Sequence, residues 1–383
     1  MEFSFLTANK IIFKPNAIFE LKDHINHLGN HFLLLVAPSF YRSNAMDSIV
    51  TQLNSIGKTF TVYHEISSEP TVEDTDLVYQ LVLDHHCDAV IAIGGGSNID
   101  VGKAVAALIT NGASAIDYLE YVGTGKQITK QPVPFVAIPT TAGTGSEVTK
   151  NSVLGSKKRK FKRSIRSEMM IPDLAVIDPM LTVTCPPHVT ASSGIDALTH
   201  LIEGHVTKKS TPITDPLSYQ GIALAGKYLR RCYEDGDDLE AREGMAAASL
   251  LGGMVIAGAG LGAAHGIGMA VGIEYNIPHG KACGIALPHV MEINAPHCKQ
   301  KMAQVGEALT GKNFISEQAA ISAAIDFICK LNRVLNLKQD YKHLDIPRNQ
   351  LQHFAQASQG SSMSCNPIQL TVEEWAKRFE AFM

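Results

Sequence analysis

DAVIAIGGGSNIDVGKA, residues 88–104, reads as a buried strand, a glycine turn and a helix. The apolar run Ala89 to Ile93 suits a strand covered on both faces. Gly94, Gly95 and Gly96 allow backbone conformations closed to other residues, and Ser97 is placed as N-cap of a helix running through Leu108. Such a helix start offers free N–H groups and a positive dipole end to a phosphate. Taken alone, the run is equally a tight turn that binds nothing, because its spacing is not the GxGxxG dinucleotide fingerprint.

The pattern repeats on both sides. Phe32 to Val36 (FLLLV) is a strand, followed by a helix around Asn44 to Ile56, a strand at Thr59 to Tyr63 and a helix at Val72 to Asp84. Val133 to Ile138 is a further strand, ending at Pro139. Apolar strands alternating with helices predict an α/β domain, a parallel sheet with ligands at the carboxyl ends of its strands. VPFVAIPTTAGTGSEVT, residues 133–149, leaves its strand into Thr140, Thr141, Gly143, Thr144, Gly145 and Ser146. That loop is rich in donors for a pyrophosphate and a ribose. Both loops follow buried strands and are expected side by side on one rim, which makes a dinucleotide site the better reading. The basic run Lys157 to Arg163 (KKRKFKR) is expected as a solvated hairpin tip, with one lysine able to turn inward to the cofactor.

Past Asp178-Pro179 the periodicity becomes helical. Helices are expected at Val189 to Val206, Leu217 to Tyr233, Leu239 to Ile256, after Lys281, at Glu317 to Asn332 and at Val372 to Phe382. A boundary near residue 180 divides an α/β domain, 1–180, from an all-helical domain, 181–383. In the helical half, LGAAHGIGMAVGIEYNIPHGK (261–281) sets His265 and His279 among small and apolar residues. GIDALTH (194–200) places Asp196 and His200 four apart, on one helix face. Each histidine by itself could pack or cap. Together, one carboxylate and three imidazoles make the protein half of a divalent-metal site with room for a substrate oxygen. Burying four such groups unpaired costs several kcal/mol, which a cation removes. The remaining histidines lack such a constellation.

Composition narrows the class. The chain has 383 residues, 45% hydrophobic and 18% charged, as in a globular enzyme, and a formal net charge of −4 that gives no attraction for nucleic acid or anionic membrane. Met245 to Gly272 is long enough for a membrane span, but its glycines, alanines and histidine favour a buried helix pair. Cysteines 87, 185, 232, 283, 298, 329 and 365 are scattered singly, arguing for a reducing, cytoplasmic setting and against both disulfides and a thiolate zinc site. No signal peptide is expected from MEFSFLTANKIIFKP.

With GGGSNID (94–100), PTTAGTGSEVT (139–149), DP (178–179), GIDALTHLIE (194–203) and His265 with PHGKACGIALPH (278–289), the chain resembles the iron-containing (group III) alcohol dehydrogenases over essentially its whole length. The resemblance implies a dehydroquinate synthase-like architecture: an α/β dinucleotide-binding domain, an all-helical domain and a catalytic metal in the cleft between them. It implies Asp196, His200, His265 and His279 as metal ligands. It implies cofactor contacts at Gly95, Gly96, Ser97, Thr140, Thr141, Thr144, Thr149 and Lys162, with Asp100 and Ser146 in the same motifs.

Where NAD-preferring relatives often carry an Asp after the first strand, Pro38 stands here, with Ser39 and Arg42 nearby, so NADP(H) is expected to be accepted. Met269 replaces a histidine common in relatives, and Asn98 a proline. The expected activity interconverts a primary alcohol and its aldehyde, with NAD(P) and one divalent metal, Fe²⁺ favoured and Zn²⁺ possible. The alternatives are a redox-neutral lyase resembling dehydroquinate synthase and a regulator without catalysis. A homodimer or larger homo-oligomer is expected, with Glu2 to Phe13 pairing as an edge ribbon across protomers.

Overall fold

The computed structural model describes residues 2–66, 69–156 and 158–383. Among the described residues there are eight strands: β1 (Ile11–Phe13), β2 (His31–Val36), β3 (Thr59–Tyr63), β4 (Ala89–Gly94), β5 (Phe135–Pro139), β6 (Asn151–Ser156), β7 (Phe161–Arg166) and β8 (Leu174–Ile177). Six of them form an all-parallel sheet in the order β1-β8-β5-β4-β2-β3. The apolar runs have the right composition for this, because both faces of the sheet are covered. Leu33, Leu35, Val90 and Ala92 pack on one side with Val78, Val101 and Val105. Phe32, Leu34, Val36, Ile91 and Ile93 pack on the other with Ile49 and Leu53. The strand period of two thus divides each run between two cores. Helices α1 (Asn44–Ser55), α2 (Val72–Asp84) and α3 (Gly96–Asn111) supply those covers. Gly102 lets α3 lie tight on the sheet, since a Cβ there would stand 2.8 Å from the Ala92 side chain.

Two local features bear on what the sequence suggests. Ile11–Phe13 pairs in parallel with β8 of its own chain, Ile11 opposite Ala175, and Glu2–Lys10 contains no strand. β1 is thereby an edge strand of the sheet, with β8 on one side. Secondly, Gly95, not Ser97, is the N-cap of α3, and Ser97 lies inside the first turn. The Asn98 side chain folds back over Gly94, where a Cβ would meet it at 2.6 Å. The basic run does fall on a two-stranded antiparallel ribbon, β6–β7, with Lys158 to Lys160 exposed at its turn; Lys157 lies outside the described residues.

The chain separates into two compact units: Leu6–Thr141 with Ser146–Val183, and Thr184–Met383 with the N-terminal segment to Phe5 and Ala142–Gly145. The second unit is helical. Its main helices are α4 (Pro187–Val206), α5 (Thr214–Glu234), α6 (Leu239–Ala259), α7 (Ala263–Tyr275), α8 (His279–Asn294), α9 (Lys299–Thr310), α10 (Glu317–Val334), α11 (Leu351–Ala357) and α12 (Val372–Phe379). The apolar stretch through Gly272 is a buried pair, α6 and α7, bent by 105°. Among the described residues no single helix is long and apolar enough to cross a membrane. Two glycines set the approach of helices around α8. A Cβ at Gly280 would stand 2.0 Å from the Ser192 carbonyl, and one at Gly268 would stand 2.8 Å from the Cys283 nitrogen.

In the α/β unit, a buried lysine ties the segment after the second loop to α3. Lys103 Nζ donates to the carbonyls of Ser146 (2.7 Å) and Asn151 (2.7 Å) and to the hydroxyls of Ser146 (3.0 Å) and Thr149 (3.1 Å). The Ser146 hydroxyl donates to Asp100, whose other oxygen accepts from Val153 N at 3.0 Å. Burial pushes the Lys103 ammonium down to about 8, against the pull of Asp100 and Glu147. A buried ammonium with this many acceptors fixes geometry, since removing it takes a donor from every oxygen it serves. Lys103→Met is expected to cost about 3 kcal/mol, read as a lower urea midpoint; an unchanged midpoint would show that the network holds nothing.

Candidate metal centre

The centre is built on three helices of the helical unit. Asp196 and His200, one turn apart on α4, lie with His200 Nε2 3.8 Å from Asp196 Oδ2. From α7, His265 brings Nε2 to 3.5 Å from Asp196 Oδ1, and its ring stacks on His200 with centroids 4.6 Å apart. His279, the first residue of α8, places Nε2 3.9 Å from the same Asp196 oxygen. The structure therefore brings all four expected ligands around one carboxylate. Asp196, His200 and His265 are buried, whereas the His279 side chain is 27% exposed and marks the open side.

The electrostatics suit a cation. Burial opposes ionisation of Asp196, but His200, His279 and His265 together hold its carboxyl well below the usual carboxylate range. Burial pushes the His200 imidazole down to about 4 despite Asp196 beside it. An ionised carboxylate and a neutral imidazole are the forms that bind metal. Asp196 Oδ1 and His265 Nε2 are buried without a hydrogen-bond partner, 3.5 Å apart and poorly aligned with each other. Orphaned polar atoms of this kind are costly in a protein interior. A divalent ion satisfies both, and the donor set fits it.

Glu203 completes the arrangement, and no expectation included it. It follows Asp196 by seven residues and His200 by three on α4, so it shares their face. Its Oε2 accepts from His265 Nδ1 at 2.6 Å and from Gly262 N at 2.9 Å, and Oε1 accepts from Ala264 N at 2.6 Å. Gly262, the N-cap of α7, has no side chain to serve these donors, and Asn366 takes the remaining one, Ala263 N, at 3.1 Å. Glu203 thus caps α7, faces its positive end and turns His265 Nε2 toward Asp196.

One cysteine lies at the same cluster. A thiolate at the metal was not expected, yet Asp196, His265, His279 and Cys283 have ligand atoms all within 4.8 Å of one another. Cys283 is one helical turn after His279 on α8, with Sγ 3.8 Å from His279 Nε2. All seven cysteines are free.

In the α/β unit the two glycine-bearing loops are neighbours. β4 and β5 pair with Gly94 opposite Pro139, Thr140 N donates to the Gly94 carbonyl at 2.9 Å, and a Cβ at Gly95 would lie 3.5 Å from Thr141 Oγ1. Gly95, Gly96, Ser97, Thr140 and Thr141 are half-buried along this rim. Asp100, Ser146 and Thr149 are instead buried in the Lys103 network behind it. Lys162, on β7, donates to Glu69 Oε2 at 2.7 Å. Pro38 opens a short helix (Pro38–Tyr41) after β2, with Ser39 and Arg42 exposed. Thr144 is half-buried in the Ala142–Gly145 excursion, where Gly143 abuts Ser193 and Gly145 (φ +62°) abuts Gly253, each in the helical unit.

Known proteins extend the comparison. A family model described as iron-containing alcohol dehydrogenase matches residues 8–179, and one described as the C-terminal part of that family matches 190–383. The chain is 34% identical to the 1,3-propanediol dehydrogenase of Citrobacter freundii, covering 98% of each. It is 31% identical to the NAD-dependent methanol dehydrogenase of Bacillus methanolicus, covering 94% of each. The crystal structure of a 1,3-propanediol oxidoreductase superposes with a TM-score of 0.92 at 31% identity over 100% of both chains.

Because Glu203 orients His265, Glu203→Gln is expected to weaken metal binding about 10- to 100-fold, measured by competition with a chromogenic chelator. Unchanged affinity would confine Glu203 to capping α7.

Proposed function

The chain belongs to the iron-containing alcohol dehydrogenase family, and we propose that it interconverts a primary alcohol and its aldehyde using NAD(P) and one divalent metal. The observation that carries this reading is the buried Asp196 carboxylate, faced by three imidazoles and left with an unpartnered oxygen. We assign Asp196, His200, His265 and His279 as the ligands that hold the ion. The α/β unit is the dinucleotide-binding part and the helical unit the metal- and substrate-binding part.

When bound, the ion supplies Lewis-acid polarisation of a substrate oxygen, and the dinucleotide supplies or takes up the hydride. The chain's own groups do the rest. Asp196 stays ionised, His200 stays neutral, and Glu203 holds His265 in one tautomer by accepting from Nδ1. His279 stands where the set opens to solvent. Met269, one turn beyond His265 on α7, offers no proton carrier at that position. Glycines 95 and 96 and the α3 N-terminus cradle the pyrophosphate beside Thr140 and Thr141. The relatives above are dehydrogenases and an oxidoreductase, which favours this reading over a redox-neutral lyase.

Two finer assignments follow. Ala37 to Arg42 (APSFYR) carries no carboxylate to repel a 2′-phosphate, and Arg42 is exposed there, supporting use of NADP(H) beside NAD(H). An Asp and three His suit Fe²⁺, which family membership favours, and also Zn²⁺. The substrate is an uncharged alcohol or aldehyde of modest size, and the working form is a homodimer or larger, in the cytoplasm.

In protein stripped of metal and reloaded with Fe²⁺ or Zn²⁺, aldehyde-dependent oxidation of NADH or NADPH is expected to return. His265→Ala is expected to abolish it; activity within about threefold of the parent would remove the metal role. For the cofactor, comparable dissociation constants for NADPH and NADH are expected. NADH bound more than about tenfold tighter would overturn the Pro38 argument.

A further inference from the structure

We propose that Cys283 is an additional metal-contacting residue of this centre, giving it a thiolate donor and a preference for thiophilic ions. The inference rests on the metal reading above and goes beyond its four ligands.

Its basis is geometric. Cys283 Sγ lies 3.8 Å from His279 Nε2 and 3.9 Å from His279 Nδ1, and it falls within the 4.8 Å span that also contains the ligand atoms of Asp196 and His265. A tetrahedral centre with metal–nitrogen bonds of about 2.1 Å and a metal–sulfur bond of about 2.3 Å sets nitrogen and sulfur about 3.6 Å apart. The observed separation is already close to that value. The second observation is the pair of orphaned atoms, Asp196 Oδ1 and His265 Nε2, on side chains 4% and 2% exposed. Those two atoms belong to the same cluster as the thiol.

The pocket for the sulfur is built by the backbone. A Cβ at Gly268 would stand 2.8 Å from Cys283 Sγ, so a larger residue there would collide with the thiol. Gly268 follows His265 by three residues on α7, hence the face that presents the imidazole also admits the sulfur. Two donor sets therefore overlap on Asp196, His265 and His279. One adds the His200 imidazole, and the other adds the Cys283 sulfur. Zn²⁺ and Co²⁺ accept a thiolate readily, so the second set favours them in competition with Fe²⁺. On coordination the thiol loses its proton to solvent as the metal–sulfur bond forms, with no change of oxidation state.

The test is the absorption spectrum of the full-length protein stripped of metal and loaded with Co²⁺. Three proteins are compared: the parent, Cys283→Ser, which nearly keeps the volume, and Cys283→Ala. The parent is expected to show both the visible ligand-field bands of bound cobalt and a near-ultraviolet thiolate-to-cobalt band. Both variants are expected to keep the first and lose the second. Their Zn²⁺-over-Fe²⁺ preference should fall about tenfold, read by chelator competition. Ligand-field bands without the thiolate band in the parent would overturn the role of Cys283 and leave the metal centre standing. A thiolate band that survives both substitutions would assign it to another cysteine and likewise overturn the inference. No cobalt uptake by the parent would overturn the centre itself.

Discussion

A carboxylate buried among imidazoles is the constraint around which the helical unit is arranged. Asp196 has almost no contact with water, and its Oδ1 has no hydrogen bond. A charge in that position is tolerable only if an opposite charge or several donors converge on it. Three histidines from three helices surround it, but neutral imidazoles satisfy it incompletely. The helices α4, α7 and α8 must then hold a fixed separation, because a shift of an ångström would open or crush the set. Glu203 enforces part of this by joining α4 to the first turn of α7 through three hydrogen bonds.

The remaining precision comes from the absence of side chains. Gly280 lets the start of α8 rest on the Ser192 carbonyl beside Asp196, and Gly268 lets α7 cross α8 at Cys283. Any larger residue at either place forces the helices apart by more than a metal site tolerates. The flexibility of the free glycines is a cost in the unfolded chain. The buried contacts of the helical core offset it, with His265 lying next to Ala264 and Ile267 in that core.

Much of this was legible in the sequence. β2, β4 and β5 show as apolar runs because both faces of a parallel sheet are buried, and the paired loops follow from strand adjacency. Asp196 and His200 show as a spacing of four on a helix. Other elements left weaker marks. Ile11–Phe13 is only three residues long, too short for a periodicity, and is a strand because β8 lies beside it. Glu203 sits in the same helical register as the ligands, but its task depends on where α7 begins, which tertiary packing decides. The His279–Cys283 spacing of four was equally visible. A lone cysteine on a helix carries no pairing or metal signature of its own, and only the crossing at Gly268 shows that the thiol faces the imidazoles.

The excursion of Ala142–Gly145 into the helical unit bears on how the molecule is made. The chain passes between the units at Phe5–Leu6, Thr141–Ala142, Gly145–Ser146 and Val183–Thr184. Neither unit is therefore a contiguous stretch of the gene, and cutting at residue 183 removes the residues against which Gly143 and Gly145 pack. During translation the excursion leaves the ribosome before its partners Ser193 and Gly253 exist. At ordinary elongation rates that gap lasts on the order of ten seconds. Through this interval Ala142–Gly145 has no partner to dock on, while the following Ser146–Asn151 is already held by Lys103 of α3.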